Sequence, residues 1–224
     1  MTLMLYYHPL AAYCHKVLVA LYEAETAFAT ELVDLGDPVA RAAHVERWPT
    51  GKMPLLRDSR HDRIIPETTI IIEYLDTHYP GPRPLLPVDA AARLEARLWD
   101  RTFDLYVSEP MQRIVGDRLR PEGQKDPAGV QEARRTLDMA YALVDRQVAP
   151  GGWAAGAQFT IADCAAAPAL FYAAIIHPIT DHHRHLLDYF ERLMARPSVA
   201  RVIEEARPYF HFFPFNQDMP ARFR

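Results

Sequence analysis

Residues 51–75 read GKMPLLRDSRHDRIIPETTIIIEYL. Gly51 breaks the segment before it, and Lys52-Met53-Pro54-Leu55-Leu56 leads into a strand. Arg57 to Asp62 is polar and turns the chain. Arg63-Ile64-Ile65 then returns, which predicts an antiparallel hairpin. Pro66-Glu67 opens a helix running through Tyr79, with Ile71, Tyr74, Leu75 and His78 spaced for one face.

Working outward toward the N-terminus, residues 28–33 (FATELV) alternate as a strand, and Asp34 to Pro38 is a turn. A short helix over 39–47 is broken by Trp48-Pro49-Thr50-Gly51. Before them, residues 3–7 (LMLYY) form an apolar run closed by His8-Pro9, the signature of a buried strand. Val17, Leu18, Leu21 and Tyr22 give residues 12–25 a helical spacing. The order is β-α-β-α-β-β-α. Its βαβ half predicts parallel pairing and its hairpin predicts antiparallel pairing. This is the pattern of a thioredoxin-like α/β domain over residues 1–80.

Pro80-Gly81-Pro82-Arg83-Pro84, followed by Pro87, is the one dense Pro/Gly stretch, and it reads as a linker over 81–88. Beyond it the periodicity is helical over 89–120, 127–148, 160–176, 183–195 and 198–206, with no strand signal. Residues 89–224 are thus expected to form an all-α domain. Thr160 and Asp163 stand at capping-box spacing, and Pro168 is expected to bend the helix that follows. The tail from Pro208 to Arg224 has no assignable element. Its Tyr209, Phe210, Phe212, Phe213 and Phe215 are too apolar to be left in water, so it is expected to pack on the body or on a partner subunit.

Composition narrows the function. Half of the 224 residues are hydrophobic, and the net charge is −4. That balance argues against nucleic acid and against an anionic membrane surface as the main partner. Two cysteines, Cys14 and Cys164, make no disulfide framework. The N-terminus lacks a basic n-region, and no apolar run is long enough to span a bilayer, so a cytoplasmic location is expected. His177, His182, His183 and His185 crowd one region but read as a solvated helix start rather than a metal site.

Three places carry chemistry. Pro54 removes a ladder donor just as a strand begins, so it needs a reason. A cis Met53–Pro54 bond would turn the Met53 main chain outward to pair with an extended peptide; an ordinary trans bond is the alternative. At Glu67-Thr68 a helix N-terminus offers N–H groups to a carboxylate, the Thr68 hydroxyl adds a donor, and Glu67 suits an ammonium. The plainer alternative is that both residues cap the helix. Tyr6, Tyr7 and His8 end the first strand where a helix N-terminus begins, and a phenol there suits a thiolate. Strand alternation lets only one of Tyr6 and Tyr7 face a given side.

Taken together, GKMPLL, IIPETTIIIEYLD and FTIADCAAAP resemble the glutathione S-transferase superfamily over essentially the whole chain. The resemblance implies a cytoplasmic, homodimeric detoxification enzyme that takes glutathione as co-substrate and attacks a small hydrophobic electrophile. It implies that Met53, beside Pro54, pairs with the cysteinyl backbone, that Glu67 and Thr68 hold the γ-glutamyl end, and that Lys52 meets the glycyl carboxylate. Thr68 stands where the family has serine. The hydrophobic pocket is expected at Leu10, Tyr106, Met111 and Tyr172. Tyr7 fits the activating phenol of the tyrosine classes. The serine and cysteine classes place their activating residue at Ala11, whose methyl can do neither job. A non-catalytic binding or scaffold protein on the same fold is the alternative.

Overall fold

A computed structural model describes residues 2–224. The chain divides between Leu86 and Pro87 into two compact units. The first contains β1 (Leu3–Tyr7), α1 (Ala12–Glu23), β2 (Ala29–Leu32), α2 (Pro38–Arg47), β3 (Leu55–Asp58), β4 (Arg63–Ile65) and α3 (Thr68–His78). Its sheet has the order β2-β1-β3-β4. β1 runs parallel to β2, with Tyr7 opposite Leu32. β1 and β3 are antiparallel with Tyr6 opposite Leu55, and β3 and β4 are antiparallel with Leu56 opposite Ile65. This is the thioredoxin-like arrangement that the element order predicts.

Local chemistry sets the boundaries. β3 starts at Leu55 because Pro54 has no N–H to add to the ladder. α3 starts at Thr68, one residue later than Pro66-Glu67 suggests, because Glu67 has φ +64° and cannot join a right-handed helix. β1 lies between two strands with both faces covered, so it is apolar nearly throughout. On one face Tyr6, Val33 and Leu55 form a core with Met4, Leu35, Trp48, Met53 and Ile64. Alternation sends Leu3, Leu5 and Leu56 to the other face. α1 and α3 pack together with Val17, Leu21, Ile71, Ile72 and Leu75 buried, whereas His78 is exposed at the end of its helix.

Asp58 ties the far end of β3 to α3. Its carboxylate is fully buried. Oδ2 accepts from Tyr74 Oη at 2.7 Å, Tyr79 Oη at 2.6 Å and His61 Nδ1 at 2.7 Å. Oδ1 accepts from the Arg60 N–H at 2.8 Å. Burial alone would push this carboxyl up. The four hydrogen bonds outweigh it and hold the group well below the usual carboxylate range.

The second unit is helical: α4 (Ala90–Phe103), α5 (Glu109–Leu119), α6 (Pro127–Val148), α7 (Ile161–Ile176), α8 (Arg184–Met194) and α9 (Pro197–Ala206). A π-helical turn over Asp104–Ser108 joins α4 to α5, and the residues flanking it keep right-handed helical dihedrals. The sequence predicts one helix over 89–120, and Pro110 explains the interruption. Pro110 has no N–H for the Tyr106 carbonyl, and its ring would strike that carbonyl, so the turn widens. α7 is buried almost all round and packs against α4, α5 and α8. Its N-terminus carries the Thr160–Asp163 capping box, and Asp163 Oδ1 also accepts from Tyr189 Oη at 2.6 Å. The tail folds into short 3₁₀ turns. Phe210 and Phe223 lie 5.9 and 5.1 Å from Phe171, and Phe213 lies 5.2 Å from Tyr172, so the tail packs on its own α7. Among the described residues, no helix is long and apolar enough to cross a membrane.

Asp58→Asn is expected to lower the unfolding free energy by about 2 kcal/mol, because one amide oxygen cannot serve all four donors that the buried carboxylate holds. The folded carboxyl titrates below its unfolded value near 4, so its contribution is full above that value and fades as pH falls. Urea titrations at fixed ionic strength should show the wild type losing stability more steeply than Asp58→Asn from about pH 5 to about pH 2. Parallel pH curves would remove Asp58 as an acid-sensitive anchor.

Candidate functional site

Strand register brings Tyr7, Pro54 and the chain leading to Glu67 to one sheet edge. Tyr6 faces Leu55, so the next rung sets Tyr7 beside Pro54. Leu56 faces Ile65, so the chain leaves β4 toward Glu67 at that same edge. α1 begins at Ala12 and α3 at Thr68, each directly after a strand that ends there. Two helix N-termini, with their free N–H groups and partial positive charge, thus border the edge.

The segment before β3 is built in steps. The Trp48 N–H donates to the His44 carbonyl at 3.1 Å, and the Gly51 N–H to the Trp48 carbonyl at 3.0 Å. Gly51 has φ +63°, a conformation that glycine adopts without penalty. His44 Nε2 lies 3.0 Å from the Lys52 carbonyl oxygen. The Met53–Pro54 peptide is cis. Among the described residues, neither the N–H nor the C=O of Met53 has a hydrogen-bond partner. A half-buried residue with a free main-chain donor and acceptor is equipped to pair with one more extended segment. Lys52 beside it is exposed.

At α3, Glu67 is exposed, and its side chain makes no capping hydrogen bond. Capping therefore does not explain it. A non-glycine residue at φ +64° stores backbone strain. Thr68 is buried behind it. Beneath the first turn, Lys16 is 1% exposed and donates from Nζ to Thr69 Oγ1 at 3.2 Å. A cation from α1 thus adds to the positive end of α3.

The two phenols separate. Tyr6 is buried in the core with Val33 and Leu55, and the Arg47 guanidinium lies 4.3 Å above its ring. Tyr7 is half-buried and faces the other side of the strand. Burial pulls the His8 imidazole below its usual value, with Asp34 acting the other way. His8 Nδ1 accepts from the Leu10 N–H at 3.2 Å. Ala11 is the N-cap of α1 and brings no side-chain cap. Among the described residues, the Ala12 N–H has no partner. Cys14 is fully buried, and burial pushes its thiol up to about 12, so it supplies no thiolate at neutral pH. Leu10 is half-buried. In the second unit Tyr106 is exposed on the π turn, Met111 is buried, and Tyr172 is buried against Phe171 and Phe213. Sequence reasoning missed His44 and the place of Lys16, because each meets its partner through the tertiary fold. Among the described residues, no cluster of three or more metal-ligating side chains occurs.

Glu67→Gly should raise the unfolding free energy by about 1 kcal/mol by releasing the strained dihedral, while Glu67→Ala, which keeps a Cβ, should not. Denaturant melts of both variants check this; equal stability would show that the backbone there is unstrained.

Residues 5–83 match the model of the glutathione S-transferase N-terminal domain, and residues 127–205 match that of its C-terminal domain. Glutathione S-transferase GstB of Escherichia coli is 29% identical over 156 residues, which are 69% of this chain and 74% of that protein. A stringent starvation protein A homolog of Coxiella burnetii is 30% identical over 167 residues, 75% of this chain and 74% of its own. The crystal structure of a glutathione S-transferase from Methylobacillus flagellatus with GSH bound has a TM-score of 0.80 at 26% identity, covering 89% of this chain and 98% of that one. With both units matched and the sheet edge built as described, the chain belongs to the glutathione S-transferase family.

Proposed function

We propose that the protein binds glutathione as co-substrate and activates its thiol for attack on a small hydrophobic electrophile. One observation carries the reading: the unpaired main chain of Met53 shares a sheet edge with the Glu67 end of α3. The γ-glutamyl carboxylate sits on the Thr68 N–H and hydroxyl at the helix tip, and Glu67 takes the ammonium. The cysteinyl main chain pairs with Met53, next to Pro54, and Lys52 meets the glycyl carboxylate. The relative from Methylobacillus flagellatus that holds GSH supports this choice of ligand.

A ligand laid out this way brings its thiol to the end of β1. The Tyr7 phenol donates to the sulfur, and the α1 N-terminus at Ala12 adds a positive field. Lowering a thiol from about 8.5 toward 7 raises its thiolate fraction at neutral pH more than about tenfold. Leu10 is the residue of the first unit expected to line the electrophile pocket, and Tyr106 is the exposed one of the three residues expected in the second. The same proposal makes the chain a cytoplasmic homodimer acting in detoxification; for the dimer, the support is that α4 leaves Leu94 and Leu98, one turn apart, 70% and 55% exposed. Light scattering should give twice the chain mass; a monomer at micromolar concentration would defeat that part.

Calorimetry should show glutathione binding below millimolar concentration. Tyr7→Phe should cut conjugation at least about tenfold with little change in glutathione affinity, and Tyr6→Phe should stay within about twofold of wild type. No binding at millimolar glutathione would end the proposal, and unchanged turnover in Tyr7→Phe would remove Tyr7 from it. Ala11 favours a second reading, a non-catalytic binding or scaffold protein on the same fold. Wild-type protein that binds glutathione but conjugates no electrophile of a broad panel selects that reading.

A further inference from the structure

The helix α2 is mostly solvent-facing, yet His44 within it is 0% exposed. Its ring has a single described hydrogen bond, from Nε2 to the Lys52 carbonyl oxygen at 3.0 Å. A carbonyl has no hydrogen to give, so Nε2 carries the proton and donates. Nδ1, a lone pair in the neutral ring, has no partner in its buried place. An apolar side chain filling this space would avoid burying that lone pair. The contact with Lys52 is what distinguishes histidine here.

That contact reaches further than Lys52. The Lys52 C=O and the Met53 N–H are opposite ends of one planar trans peptide, so fixing the oxygen fixes the direction of the N–H. The peptide before it is held only weakly by hydrogen bonds. The Lys52 N–H reaches Thr50 Oγ1 at 3.4 Å, and Gly51, with φ +63°, is the most permissive residue of the turn. We infer that His44 is a positioning residue that locks the Lys52–Met53 peptide plane and thereby aims the Met53 N–H outward for a peptide-like ligand. For glutathione as that ligand, this rests on the function proposed above. Orienting the donor beforehand removes an ordering cost from binding.

The test uses the full chain with His44→Phe, which fills the space without a donor, and His44→Gln, whose amide N–H can reach the same carbonyl. In the free protein, the ¹⁵N order parameter of the Met53 amide should fall from about 0.85 to below about 0.6 in His44→Phe and recover in His44→Gln. The glutathione Kd should rise about tenfold in His44→Phe and stay within about threefold in His44→Gln. kcat at saturating glutathione should change less than about twofold in both, placing the effect in binding. If His44→Phe does not fold, His44→Met takes its place. A donorless variant with wild-type Met53 order and Kd overturns the inference, and so does His44→Gln behaving like His44→Phe. Wild-type protein that ignores glutathione sinks the glutathione reading instead, and the Met53 order parameter then decides the role of His44 alone.

Discussion

Pro54 has no hydrogen to give, so the ladder between β1 and β3 stops at Leu55. The main chain just before it cannot continue the sheet on its own. The pairing that the candidate site offers to an extended ligand depends on that interruption. The sheet order brings the end of β1, the start of β3 and the end of β4 to one edge, and two helices begin there. The interruption leaves Met53 as an unpaired rung among them, with a donor and an acceptor on offer. The opposite end of β3 is treated differently. There Asp58 gathers four donors onto one carboxylate and fastens the hairpin to α3. One end of the strand is satisfied within the chain, and the other is left for something else.

The first unit was legible because its signals are local. Apolar runs, turns rich in Gly and Pro, and a period near 3.6 lie within short windows. The helices of the second unit were legible for the same reason, down to the capping box at Thr160. The π turn was not, because Pro110 sits in a pattern that is otherwise continuous and helical. The tail was not, because Phe210, Phe213 and Phe223 find Phe171 and Tyr172 only after α7 is in place. Within the site, Met53 and Pro54 announce themselves by a proline at a strand start, Glu67 and Thr68 by a helix N-terminus, and Lys52 by the family resemblance, and the structure sets them on neighbouring segments. Alternation foretold that Tyr6 and Tyr7 part company, but not which one enters the core; packing by Val33 and Leu55 decides that. His44 and Lys16 act on residues 8 and 53 positions away, through geometry that no short window contains.

Electrostatics at the edge is additive in sign. α1 and α3 both present their positive ends, and Lys16 is buried beneath the first turn of α3. Glu67 sits against that field in a strained conformation. A side chain held this way, with no capping role to justify it, fits a site whose occupant brings its own pair of opposite charges. In the second unit, at the N-terminus of the buried helix α7, the capping box and the Tyr189 hydrogen bond satisfy Asp163.

Both cysteines are wholly buried, Cys14 in α1 and Cys164 in α7. In its folded state the protein therefore offers a silent background to maleimides, iodoacetamide and other thiol reagents. A single cysteine introduced at exposed Lys52 would be the one reactive handle. A dye or spin label attached there would report on the edge beside Met53 without competing signal from the rest of the molecule.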